Sequence, residues 1–127
     1  MYKEVVICTI IVVTIISLDI FTQKYTQSTT SEITQIFSDL KGEILKEDKE
    51  QINSKVKKLD EKWGQKHDRL AYYIEHDELE KVDTAIVSLK SFVETDDYSS
   101  AIAELDEGKF ILEHIQKKYA FNLENIF

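Results

Sequence analysis

Residues 5–18 read Val-Val-Ile-Cys-Thr-Ile-Ile-Val-Val-Thr-Ile-Ile-Ser-Leu without a charge, whereas everything beyond Thr22 is polar, charged and helical in pattern. Lipid offers backbone groups no hydrogen-bond partners, so a spanning segment must be a helix of roughly 20 mainly apolar residues. The stretch from Tyr2 to Phe21 reaches that length, and Asp19 lies close enough to its end to meet the headgroups. Lys3 and the amino terminus precede the run, and Glu4 partly offsets them. The weak positive-inside bias places the amino end in the cytoplasm and the rest outside, a single-pass arrangement in the cell membrane.

A cleaved signal peptide has a similar profile, but cleavage requires small residues in an A-x-A-like order. Residues 15–24 do not supply that order, so an uncleaved anchor is the expectation and release by signal peptidase the alternative. Cys8 lies too near the start for a lipoprotein signal and reads as one apolar residue of the span. A single cysteine excludes any disulfide within the chain.

Roughly a hundred residues follow the anchor, enough for one domain with a modest core. With no proline, three glycines and 31% charged residues, the chain is expected to be all-α. Its net charge of −8 argues against nucleic acid and against surface contact with anionic lipid. The charge is uneven: residues 49–69 are net basic through Lys49, Lys55, Lys57, Lys58, Lys62, Lys66 and Arg69, whereas residues 70–127 carry five lysines against thirteen acids. A basic helix packed on acidic ones accounts for this, and a basic face offered to an acidic envelope polymer or partner is the alternative.

Residues 1–22 are read as the transmembrane anchor, 23–31 as a juxtamembrane linker or helix start, and 32–127 as a helical bundle domain. Thr29 with Glu32 fits a capping box, followed by the stripe Ile33, Ile36, Phe37, Leu40 and Ile44. Asp48 with Gln51 starts a second helix, to about His76, with Ile52, Val56, Leu59, Trp63, Leu70 and Ile74 at near-heptad, coiled-coil-like spacing. Asp77 with Glu80 marks a third helix, bearing Leu79, Val82, Ile86, Leu89 and Val93. Residues 95–97 close it and cap a fourth, whose inward face reads Ala101, Leu105, Gly108, Leu112 and Ile115. Gly108 in this stripe costs about 1 kcal/mol of helix propensity relative to Ala and so marks a close crossing. Leu123, Ile126 and Phe127 are expected to pack back on the bundle. The architecture expected is an N-terminal transmembrane helix and then an antiparallel up-and-down bundle of about four helices.

A displacement of 49 residues superposes Leu40 on Leu89, Ile44 on Val93, Asp48 on Asp97, Ile52 on Ala101, Val56 on Leu105 and Trp63 on Leu112. Two helical hairpins on one plan would produce it, but identities are few and any two amphipathic helices with a capping Asp would match comparably, so the repeat is weak.

The chain resembles an uncharacterised family of spore-forming and related Gram-positive bacteria, the domain-of-unknown-function family numbered 4363. The resemblance rests on the apolar front, Trp63 in a charged helix, Ile74-Glu75-His76-Asp77-Glu78, Leu89-Lys90-Ser91-Phe92-Val93, Leu112-Glu113-His114-Ile115 and Leu123-Glu124-Asn125-Ile126-Phe127. It runs through the whole chain and implies a short membrane-anchored helical protein with no assigned reaction.

His67, His76 and His114 are the only side chains that ordinarily titrate near neutrality. His76, Asp77, Glu113 and His114 are the metal candidates, should the second and fourth helices bring them together. No spaced ligand pair pre-forms such a site, and interactions of the His and acids with helix ends explain the pattern without a ligand. Asp60-Glu61, Asp96-Asp97 and Asp106-Glu107 lack the oxygen spacing of a calcium loop. Trp63, Tyr72, Tyr73, Phe92 and Phe110 are read as core rather than as an aromatic pocket. No catalytic motif is present, so neither an enzyme nor a cofactor is expected. The function expected is interaction: a module tethered through residues 2–21 to the bilayer that docks an envelope protein or itself. A metal- or ligand-sensing domain using His76 and His114 is the alternative.

Overall fold

The computed structural model describes residues 1–72 and 74–119. They form four helices and, among the described residues, no strand: α1 Tyr2–Leu45, α2 Lys49–Leu70, α3 His76–Glu94 and α4 Tyr98–Lys118. The up-and-down bundle is as expected, but the apolar run and the first bundle helix are a single element. At 44 residues, α1 is about 66 Å long. Its apolar front half is long and apolar enough to cross a membrane and touches nothing in the bundle. Its second half buries Thr26, Thr29, Thr30, Ile33, Ile36, Phe37, Leu40 and Ile44.

Residues 23–31 are therefore neither linker nor helix start, and Thr29 caps nothing. Ser and Thr favour caps and turns by competing for backbone hydrogen bonds, but here no Gly or Pro breaks the chain and packing decides. Thr26, Thr29 and Thr30 are each 1–2% exposed, and the Thr30 hydroxyl donates back to the Thr26 carbonyl at 2.7 Å, an ordinary mid-helix bond.

The two tight corners follow one design. Glu47 and Asp96 both take positive φ, 57° and 58°. Each precedes an aspartate that caps the next helix: Asp48 accepts from the Gln51 N–H and Asp97 from the Ser100 N–H, both at 3.3 Å. These pairs lie 49 residues apart, the displacement seen in the sequence. Burial repeats with them: Ile33 matches Val82, Phe37 matches Ile86, Leu40 matches Leu89 and Trp63 matches Leu112, all in one core. The fold is two helical hairpins, α1–α2 and α3–α4, joined side by side.

In the core α4 packs on α1 and α3, and α1 packs on α2, while α2 and α3 share the thinnest seam. At Gly108 α4 packs tightly against both α1 and α3: a Cβ there would lie 2.9 Å from Phe37 Cε2 and 3.6 Å from Ala85 Cβ. The close crossing inferred from its cost in propensity is present.

The connection between α2 and α3 departs from expectation. Helix α2 stops at Leu70 rather than near His76, and Ile74, outside any helix, is 4% exposed. The N-cap of α3 is Glu75, with no side-chain cap bond, so Asp77 and Glu80 do not form the capping box. A tertiary contact holds this end instead, the Glu75 N–H donating to the Tyr119 hydroxyl at 3.0 Å. The aromatic assignment also divides: Trp63 is 4% exposed and Phe92 half-buried, but Tyr72 and Phe110 are 88% and 70% exposed. Tyr73 and the tail residues Leu123, Ile126 and Phe127 lie outside the described residues.

Candidate functional site

The polar groups of the bundle gather where α1 enters it, beside the α2–α3 connection and the end of α4. At the centre is Glu78 of α3, 7% exposed, level with the buried threonines of α1. A carboxylate leaves water only if its charge is compensated. Lys118 donates to Glu78 Oε1 at 2.9 Å and lies 3.5 Å from Glu75, and His114 Nε2 is 3.7 Å from the same Oε1. Its other oxygen, Oε2, has no hydrogen-bond partner among the described residues. The bond to Glu78 raises the Lys118 pKa above its ordinary value. The network ties α4 to α3, and Gln116 donating to the Ser31 hydroxyl at 3.1 Å ties α4 to α1.

A second group staples the thin α2–α3 seam. The Trp63 indole N–H donates to Asp83 Oδ1 at 2.5 Å, which satisfies the one polar atom of a buried ring. His67 Nε2 lies 3.1 Å from Asp83 Oδ2, near enough for charge attraction but off the line of a hydrogen bond. Its Nδ1 is 3.4 Å from Asp68. Both imidazole nitrogens lie beside carboxylates, so the group has the form of a clamp. Lys90 to Asp60, at 3.1 Å, adds a pair across the same seam.

At the opposite end Lys49 of α2 meets Asp96 of the second corner at 3.0 Å, and this bond raises the lysine pKa. The two hairpin corners are thereby bridged. The basic helix otherwise pairs little with the acidic half: Lys62 reaches Glu32 of α1, and Lys55, Lys57 and Lys58 form no ion pair among the described residues. Among the described residues its basic side chains meet acids of that half as Lys49 to Asp96 and His67 to Asp83.

The four metal candidates are not assembled. His76 is the first residue of α3, not the end of α2, and lies 3.9 Å from Glu80 with its side chain 80% exposed. His114 faces Glu78 instead. Asp77 opens onto a groove of about 530 Å³ between α3 and α4, which Glu80, Lys81, Glu104 and Glu107 also line. Partial burial, and then Glu107, push the Glu104 carboxyl above the usual range. Among the described residues no three His, Cys, Asp or Glu side chains converge as a metal site.

Reasoning from the sequence passed over Glu78, Asp83 and Lys118. Glu78 did leave a signal, because it falls four residues before Val82 in the apolar stripe, where a lone acid needs a partner. Asp83 left none, since its position is solvent-facing in the helical pattern and only the fold brings Trp63 and His67 to it.

The geometry defines a class, a four-helix bundle built on the continuation of an apolar helix, with ion pairs clamping its seams. Within that class the chain belongs to the domain-of-unknown-function family DUF4363, which it matches over residues 20–126. The match takes in the bundle half of α1 and all of α2 to α4, and begins where the apolar run ends, so it is shorter at the front than the resemblance read from the sequence. No curated protein and no solved structure matches the chain.

Proposed function

We propose that the protein is a membrane-anchored interaction module of a Gram-positive cell envelope, single-pass, with its amino end in the cytoplasm and its bundle outside. It works by binding and not by catalysis. The observation that carries the reading is α1 itself, one uninterrupted helix whose front half exposes Val5 through Phe21 to the surroundings while its second half is core. Exposed apolar side chains over about 20 residues have no stable place in water, whereas a bilayer solvates them. The tether then holds the bundle at high effective concentration against partners on the same surface, an envelope protein or a second copy of this chain.

The test is cysteine accessibility in intact cells. With Cys8 replaced by Ser, a cysteine at the exposed Lys57 is expected to react with a membrane-impermeant maleimide, and one at Tyr2 only after the membrane is opened. The reverse pattern, or full-length protein in the soluble fraction, would refute the reading. Crosslinking from native membranes with the anchor intact identifies the partner.

A further inference from the structure

We propose that the base of the bundle rests on the bilayer, with Tyr72 in the headgroup layer and Lys24 and Arg69 directed at phospholipid phosphates. The inference rests on the anchoring reading above and adds a surface and its partner. Helix α2 folds back on α1 about the corner at Glu47, so each of its residues lies beside the α1 residue equally far from that corner. The contacts agree to within about one turn: Lys62 meets Glu32 in strict register at 3.3 Å, and the Lys66 ammonium sits 5.7 Å from the centre of the Tyr25 ring, three residues nearer the apolar run than strict register would give. Continued down α2, this register places Leu70 beside Lys24, and the following turn, Ala71 and Tyr72, beside Gln23 and Thr22. Tyr72 is therefore within about one helical turn of Phe21, where the apolar run ends. Because residues 23–31 are helix, no slack segment lifts the bundle away from that level.

The side chains at this height suit the interface. Tyr72 is 88% exposed, an amphipathic ring of the kind enriched at headgroup depth. Lys24 and Arg69 are exposed and form no ion pair among the described residues, and long basic side chains reach lipid phosphates from such positions. Of the acids nearby, Glu75 and Glu78 are engaged with Lys118, while Asp68, with its side chain 93% exposed, Asp77 on the groove side and Asp19 in the last turn of the apolar run face solvent. The net charge of −8, which argued against contact with lipid, is a sum over the whole chain, whereas the exposed Lys24 and Arg69 both lie at this end.

The experiment uses the full chain in vesicles of phosphatidylcholine and phosphatidylglycerol, with an environment-sensitive fluorophore on one cysteine and quenchers fixed at known depths on the lipid. Three sites are compared: native Cys8, and Ala71→Cys or Lys46→Cys with Cys8→Ser. The expected result is quenching of the residue-71 probe by the headgroup quencher several-fold above that of the Lys46 probe at the far tip. That quenching is expected to fall at least twofold when Tyr72→Ser, Lys24→Glu and Arg69→Glu are combined. Equal quenching at 71 and 46, or no effect of the triple substitution, overturns the proposal. The Cys8 probe separates the two readings: quenched deep in the bilayer, it leaves the anchor standing whatever happens at 71, and unquenched, it overturns both.

Discussion

The tip of the bundle and its base are built on different principles. At the tip each corner is local chemistry: a residue at positive φ, then an aspartate that accepts from the N–H three residues on, with all the partners inside a few residues of sequence. At the base no comparable cap operates among the described residues. The α2–α3 connection is held by Tyr119, 44 residues away from Glu75, and the α1 segment opposite it is held helical by burial of three threonines. Local capping signals therefore locate structure only where the local group is the one that satisfies the backbone. Where a distant side chain does so, they mislead.

The largest effect expected from this contrast comes from Thr29→Pro. In a linker or at a helix start a proline is tolerated, but inside α1 it removes a hydrogen bond and clashes with the preceding turn, a cost of about 3 kcal/mol or more. Denaturant melts of the detergent-solubilised protein read it directly. Next comes Gly108→Val: branched carbons would overlap Phe37, whose ring is 2% exposed, and overpacking is expected to cost about 1–3 kcal/mol. Gly64, with nothing within 4 Å of its would-be Cβ, provides the opposite sign. Gly64→Ala is expected to stabilise by up to about 1 kcal/mol in the same melts.

Smaller and more diagnostic are the caps. Asp48→Ala and Asp97→Ala are each expected to lose about 1 kcal/mol, nearly additively in the double variant, whereas Asp77→Ala, which removes no cap bond and only a first-turn charge, is expected to lose less, about 0.3–0.5 kcal/mol. Equal losses at all three would contradict the difference between tip and base.

The smallest effect is a pH dependence in the α3–α4 groove. The Glu104 pKa is raised, so the folded state takes up its proton more readily than the unfolded chain does. Its contribution to stability is greatest at acid pH and is lost as pH rises through the folded pKa. Glu104→Gln is accordingly expected to raise the midpoint of thermal unfolding slightly at pH 7, and the gain should vanish below about pH 4.

Much of the fold was legible because helical periodicity and Asp caps act locally. Ile33 to Ile44, Leu79 to Val93 and Ala101 to Ile115 are buried as their spacing requires, and Gly108 marks a crossing as its cost implied. The 49-residue repeat was visible as a pattern of apolar positions, and the matched φ angles of Glu47 and Asp96 give it a structural meaning. The continuity of α1 was hidden by Ser and Thr, whose propensities are weak beside burial. Tyr72 and Phe110 were misplaced because an aromatic residue alone does not reveal which side of a helix or turn it occupies. The candidate site was least legible, since Glu78, Lys118, Asp83 and His67 meet only through tertiary packing.

The central claim is that the apolar front of α1 and the bundle are one rigid body joined by unbroken helix. It is tested most directly by electron–electron double resonance in vesicles, with spin labels at Leu18→Cys and Gln35→Cys in the Cys8→Ser background. A continuous helix gives one narrow distance distribution centred at about 26 Å, from 17 residues at 1.5 Å each. A broad distribution, or one centred well away from that value, would mean that residues 23–31 are a hinge and would contradict the account.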